Sequence, residues 1–92
     1  MDNYRFFSDP GHGWLEVPVA TLRKLGIAGQ ISAYSYVSED GATAYLEEDC
    51  DLSRFAAAMG WHELPSATVH IYQEETFIRD LPRYEARYEV AA

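Results

Sequence analysis

One stretch constrains the fold more than any other. It reads ISAYSYVS, then EDG, then ATAYLEED, over residues 31–49. Ile31, Ala33, Ser35 and Val37 alternate with Ser32, Tyr34, Tyr36 and Ser38. On the return, Ala42, Ala44 and Leu46 alternate with Thr43, Tyr45 and Glu47. Period-two alternation on both sides of an Asp40-Gly41 turn predicts a β-hairpin with one small aliphatic face and one tyrosine face. Such a pair is stable only when one face is covered.

The flanking segments supply the cover. YRFF and WLEV predict two short strands around a tight SDPGHG loop, in which Gly11 and Gly13 are expected to permit positive φ. PVATLRKLGI predicts a helix that starts at Pro18, faces inward with Val19, Leu22 and Leu25, and ends at Gly26. DLSRFAAAMG predicts a second helix with Leu52, Phe55, Ala56 and Met59 inward and Gly60 as its stop. ATVHIYQEE predicts a last strand. The expected fold is α+β: a small antiparallel sheet with two short helices on one face, in the order ββαββαβ. The segment TFIRDLPRYEARYEV lacks a period and is expected to be irregular or to pair with a sheet edge.

Length and composition narrow the class. Ninety-two residues suit a single domain, residues 1–92, with one modest core. A hydrophobic content of 48% with seven tyrosines is that of a folded chain. The formal net charge of −8 disfavours direct contact with nucleic acid or anionic membrane and favours a partner with a basic surface. Solubility alone also accounts for such a charge. One cysteine, Cys50, permits no intrachain disulfide and fits a reducing cytoplasm. No signal peptide and no membrane span is expected.

The densest chemical feature is the acid run. Glu39, Asp40, Glu47, Glu48, Asp49 and Asp51 place six acids in residues 39–51 with no base among them. Their position between a strand and a helix makes Asp49 or Asp51 the expected N-cap. A calcium loop does not fit, because Arg54 and Gly60 stand where glycine and glutamate are required. Paired-carboxylate catalysis does not fit either, because Glu47 and Glu48 point to opposite faces of a strand. The remaining functional reading is a protein-binding face in which the six acids mimic a phosphate backbone and Tyr36 and Tyr45 serve as anchors.

The other candidates are weaker. His12, Trp14 and the PGHGW loop form an alternative ligand or catalytic centre, but the sequence supplies no partner to orient His12. The three histidines lack metal-helix spacing, so no metal or cofactor is expected. Cys50, between acids, is expected to be inert, with a raised thiol pKa, and tucked inward. Arg79, Arg83 and Arg87 are expected to pair with the chain's own acids.

SDPGHGWLEVP, LGI, SAYSYVSEDGATAYLEEDCDLSRFAAAMG and IRDLPRYE together resemble a family of short proteins found in bacterial genomes, phages and other mobile elements. The resemblance covers residues 6–88, and its PGHGWL and AYLEEDCDLS pieces are specific. It implies a small cytoplasmic accessory protein of a bacterial host and carries over no catalytic residue. Anti-CRISPR proteins share that context, which is an analogy and not kinship. The resulting expectation is a non-enzymatic inhibitor that docks its acidic face on the basic, nucleic-acid-gripping surface of a complex such as a CRISPR effector.

Overall fold

The computed structural model describes residues 4–85, in which five strands form one sheet. The strands are β1 (Arg5–Ser8), β2 (Gly13–Pro18), β3 (Tyr36–Val37), β4 (Thr43–Glu47) and β5 (Val69–Tyr72), in spatial order β3-β4-β2-β1-β5. Helices α1 (Val19–Lys24) and α2 (Asp51–Met59) complete the α+β class and the element order read from the sequence.

Pairing register decides which residues share a face. Leu15 lies opposite Leu46, and Val17 opposite Ala44. These four face the helices and pack with Leu22 of α1 and Phe55 of α2. Trp14 lies opposite Glu47 and Glu16 opposite Tyr45, so these side chains occupy the other face. That face is not bare. Phe7, Trp14, Tyr36 and Tyr45 are buried there around Ile78. Ile78 belongs to a 3₁₀ helix, Phe77–Asp80, which lays the segment 76–85 over the sheet. Arg83 then bridges Tyr36, and Val37 N–H donates to Pro82 O at 2.9 Å. The segment without a period therefore does pair with the β3 edge.

Three details differ from the sequence reading. None of 31–35 is strand. Ser32 Oγ and Ser35 Oγ both donate to Asp51, which turns this piece around the start of α2. Strand β5 runs parallel to β1, not antiparallel. Crossover through α2 makes β5 run the same way as β4, and β4 already runs the same way as β1. Gly11, lastly, has no positive φ, and neither has Gly13. Gly13 is glycine because a Cβ there would stand 2.4 Å from Phe6 Cζ. Gly60, by contrast, ends α2 in the left-handed region at φ 76°, as expected of a helix stop.

Candidate functional site

The site begins with the loop between β1 and β2. Asp9 organises it: Oδ1 accepts from Gly11 N–H and His12 N–H, both at 2.9 Å. Arg79 closes on the same carboxylate from the covering segment, with Nε to Oδ2 at 2.6 Å. This guanidinium, helped by the two loop amides and opposed by burial, holds the Asp9 carboxyl well below the usual carboxylate range.

The loop so fixed presents His12 to the end of β4. His12 Nδ1 lies 3.1 Å from Glu47 Oε2. A carboxylate only accepts, so Nδ1–H is the donor. Glu47 is 6% exposed, and its Oε1 accepts Asp49 N–H at 2.8 Å. Glu47 N–H in turn donates to Ser35 Oγ, itself bonded to Asp51. A ligating atom from each of His12, Glu47 and Asp49 lies within 4.8 Å of the others.

Arg79 and Arg83 line the same cleft, of about 330 Å³. The Arg79 guanidinium carbon sits 5.2 Å above the Trp14 ring, and that of Arg83 4.7 Å above the Tyr36 ring. Arg79 is neutralised by Asp9, whereas Arg83 has no carboxylate partner among the described residues and donates to Ala33 O at 3.1 Å. Tyr34, 66% exposed, and Cys50 complete the rim. Trp14 Nε1 is buried in the floor and finds no acceptor among the described residues. The cleft therefore has an aromatic floor, an acid-and-imidazole wall and a guanidinium wall.

Cys50 is exposed at the N-cap of α2, not tucked inward. Its thiol pKa is raised, as expected, by partial desolvation, by a hydrogen bond to Glu47, and by the surrounding acids. The N-cap expectation for Asp49 or Asp51 does not hold, because Cys50 occupies that position and makes no side-chain cap bond. Asp51 is 2% exposed and turns back to bind Ser32 and Ser35.

The six-acid stripe is divided by the same burial. Glu47 and Asp51 are buried, as are the expected anchors Tyr36 and Tyr45. Tyr45 OH donates to Glu16 at 3.0 Å, and Tyr36 lies under Arg83. Glu39 and Asp40 are exposed at one end of β4, Glu48 and Asp49 at the other. Five residues at about 3.3 Å each separate the two pairs by roughly 16 Å.

His12 was legible as a candidate, but its orienting partner 35 residues away was not. Arg79 pairs with an acid of the chain as expected, whereas Arg83 bonds a backbone carbonyl and not an acid; that the acid is Asp9, and that both arginines line the cleft, was missed. The only available signal was the pairing of WLEV with AYLE, which sets Trp14 beside Glu47. Arg87 lies outside the described residues. No helix among the described residues is long and apolar enough to cross a membrane. Comparison with protein-family models, curated proteins and solved structures finds no match.

Proposed function

We propose that this protein is a small non-enzymatic binding module whose cleft takes a ligand with an anionic group and a cationic centre beside it. The observation that carries this reading is the split of charge across one aromatic floor. Arg83 brings its guanidinium, over the Tyr36 ring, into the same cleft as Glu47 and Asp49, with Trp14 also in its lining. An anion at Arg83 gains a charge-assisted hydrogen bond. The acid wall then favours positive charge next to it. A nucleophilic role for Cys50 is disfavoured, because its acidic surroundings hold it as the thiol. The test is an amide NMR titration against a panel of zwitterionic amino acids and small phosphates and carboxylates. The expected result is shifts confined to residues 12–14, 34–36, 47–50 and 79–83, lost in Arg83→Glu. Equal shifts in that variant, or none with any member of the panel, would refute the reading.

A second reading rests on the exposed acids. Among the described residues, Glu39, Asp40, Glu48 and Asp49 form no ion pair with Lys or Arg. Four uncompensated carboxylates on a chain of charge −8 suit a partner with a basic nucleic-acid-binding surface. In this reading the protein is an anti-CRISPR-like inhibitor in the cytoplasm of a bacterial host, acting by phosphate mimicry. Affinity purification from a CRISPR-bearing bacterium should recover an effector at low salt and lose it at high salt. The variant Glu39→Lys/Asp40→Lys/Glu48→Lys should lose it at either. Recovery that ignores both salt and charge reversal would remove phosphate mimicry.

A further inference from the structure

The acid wall has a property that the ligand reading leaves open. Glu47 and Asp49 hold carboxylates near one another with no Lys or Arg in ion-pair distance among the described residues. Glu47 is also nine-tenths buried, so water screens the repulsion poorly. What joins them is an imidazole, His12, with Nδ1 3.1 Å from Glu47. One neutral nitrogen ligand and two carboxylates, converging at the mouth of a cleft, are the donors a divalent transition metal takes.

We propose that His12, Glu47 and Asp49 form a zinc-type metal site, and that this ion is the cationic centre beside the ligand's anionic group. The inference rests on the cleft reading above for its ligand, but the metal site stands or falls separately. Around a tetrahedral zinc, donors at about 2.0–2.1 Å stand roughly 3.4 Å apart. The His12 Nδ1–Glu47 Oε2 spacing of 3.1 Å suits that arrangement once the ion displaces the Nδ1 proton that bridges the two atoms. The full set spans 4.8 Å, so one donor has to move inward by roughly 1–1.5 Å. Asp49 is free to do so, being exposed in the turn after β4, whereas Glu47 is fixed by its burial and its hydrogen bonds. The preorganised part is thus the His–Glu pair, and Asp49 closes on the ion. Three protein donors leave a coordination position open toward the cleft, where Arg83 flanks the incoming anion.

Two other features bear on this site. Arg79 lies in the same cleft, but Asp9 neutralises it and Trp14 carries its guanidinium, so it does not compete for the carboxylates. Non-specific attraction of cations to a chain of charge −8 is the simplest competitor. Ligand chemistry separates them. Diffuse charge holds magnesium and zinc alike, while an imidazole ligand selects zinc.

The test uses the chelator-treated full chain, titrated calorimetrically with zinc chloride and with magnesium chloride at physiological ionic strength. One zinc per chain is expected, with magnesium at least about tenfold weaker. His12→Ala and Asp49→Asn should each weaken zinc by at least about tenfold. The metal-free melting temperature of Asp49→Asn should match the parent, and that of His12→Ala should fall only by the loss of the Glu47 hydrogen bond, with the folded circular-dichroism spectrum kept. Glu48→Gln, the neighbouring exposed acid outside the set, should bind as the parent does. Absence of saturable one-to-one binding, equal affinity for magnesium, or unchanged zinc binding by His12→Ala overturns the metal site. Such a result beside an intact Arg83-dependent NMR response would leave the ligand cleft standing. Loss of that response with zinc binding retained would remove the ligand and keep the metal.

Discussion

Asp51 offers the sharpest check on how this fold is held. Its carboxylate accepts Ser32 N–H at 3.1 Å, Ser32 Oγ–H at 2.7 Å, and the hydroxyl of fully buried Ser35. In Asp51→Ala all three bonds are lost. The Ser35 hydroxyl proton is left buried without an acceptor, at about 1–3 kcal/mol. Ser32 is half-buried, and water recovers part of what its two bonds contributed, leaving a loss of roughly 1–1.5 kcal/mol. Together these amount to about 2–4.5 kcal/mol, against a total of roughly 5–14 kcal/mol for a domain of this size. Urea unfolding followed by far-ultraviolet circular dichroism reads the loss directly, as a midpoint lowered by roughly 1–3 M at an unchanged slope of about 1.5 kcal/mol/M. Asp49→Ala, two residues away and exposed, should change stability by less than about 0.5 kcal/mol. Adding Ser32→Ala and Ser35→Ala to Asp51→Ala should cost less than the sum of the single changes, because the three residues share one network. If Asp51→Ala costs no more than Asp49→Ala, Asp51 is not the clasp between residues 31–35 and α2.

Further predictions follow from other contacts. Gly13→Ala should destabilise by about 1–3 kcal/mol, because the added methyl meets the Phe6 ring at 2.4 Å, and Gly13→Ala/Phe6→Leu should recover part of the loss in the same urea assay. Tyr84→Phe removes a buried 2.6 Å hydrogen bond to Ala28 O and should cost about 1–2 kcal/mol, with faster amide exchange at Val37 and Tyr84 as the segment 76–85 loosens. Tyr45 ionises at about 12 and not near 10.0, first because of burial and then because its hydroxyl donates to Glu16. The folded form thus holds this proton more tightly than the unfolded form. The associated stability is complete below the unfolded pKa and declines as pH rises from 10 toward 12. Chemical unfolding across that range should show the decline, and Tyr45→Phe should flatten it.

What the sequence disclosed follows periodicity. The Asp40-Gly41 turn, the two-faced β4, and the inward stripes of both helices repeat at fixed spacing and were readable. Residues 31–35 show the limit of that signal. Their alternation is genuine, yet Ser32 and Ser35 are held by a carboxylate 16–19 residues on, and that pull outweighs strand propensity. Direction is a second limit: the pattern of Val69–Tyr72 is the same for a parallel or an antiparallel neighbour. Burial of charge is a third. Glu47 and Asp51 are chemically equivalent in sequence to exposed Glu48 and Asp49, and only long-range partners separate them. The cleft combines all three limits. Its residues come from a loop, a strand end and an aperiodic segment, so no local pattern announces it.

The guanidinium wall also has a place in time. Arg79 reaches back 70 residues to Asp9, and Tyr84 reaches 56 residues to Ala28. At roughly 5–20 residues per second, a ribosome needs on the order of 4–14 s to add the residues between Asp9 and Arg79. Until then the Trp14 and Tyr36 rings lack their cover, and closing loops of that length is slow for the finished chain as well. The residues of the acid wall, on the β1–β2 loop and at the end of β4, are synthesised before those of the basic wall. In a growing chain Trp14 and Glu47 are therefore made well before the two arginines that join them in the cleft.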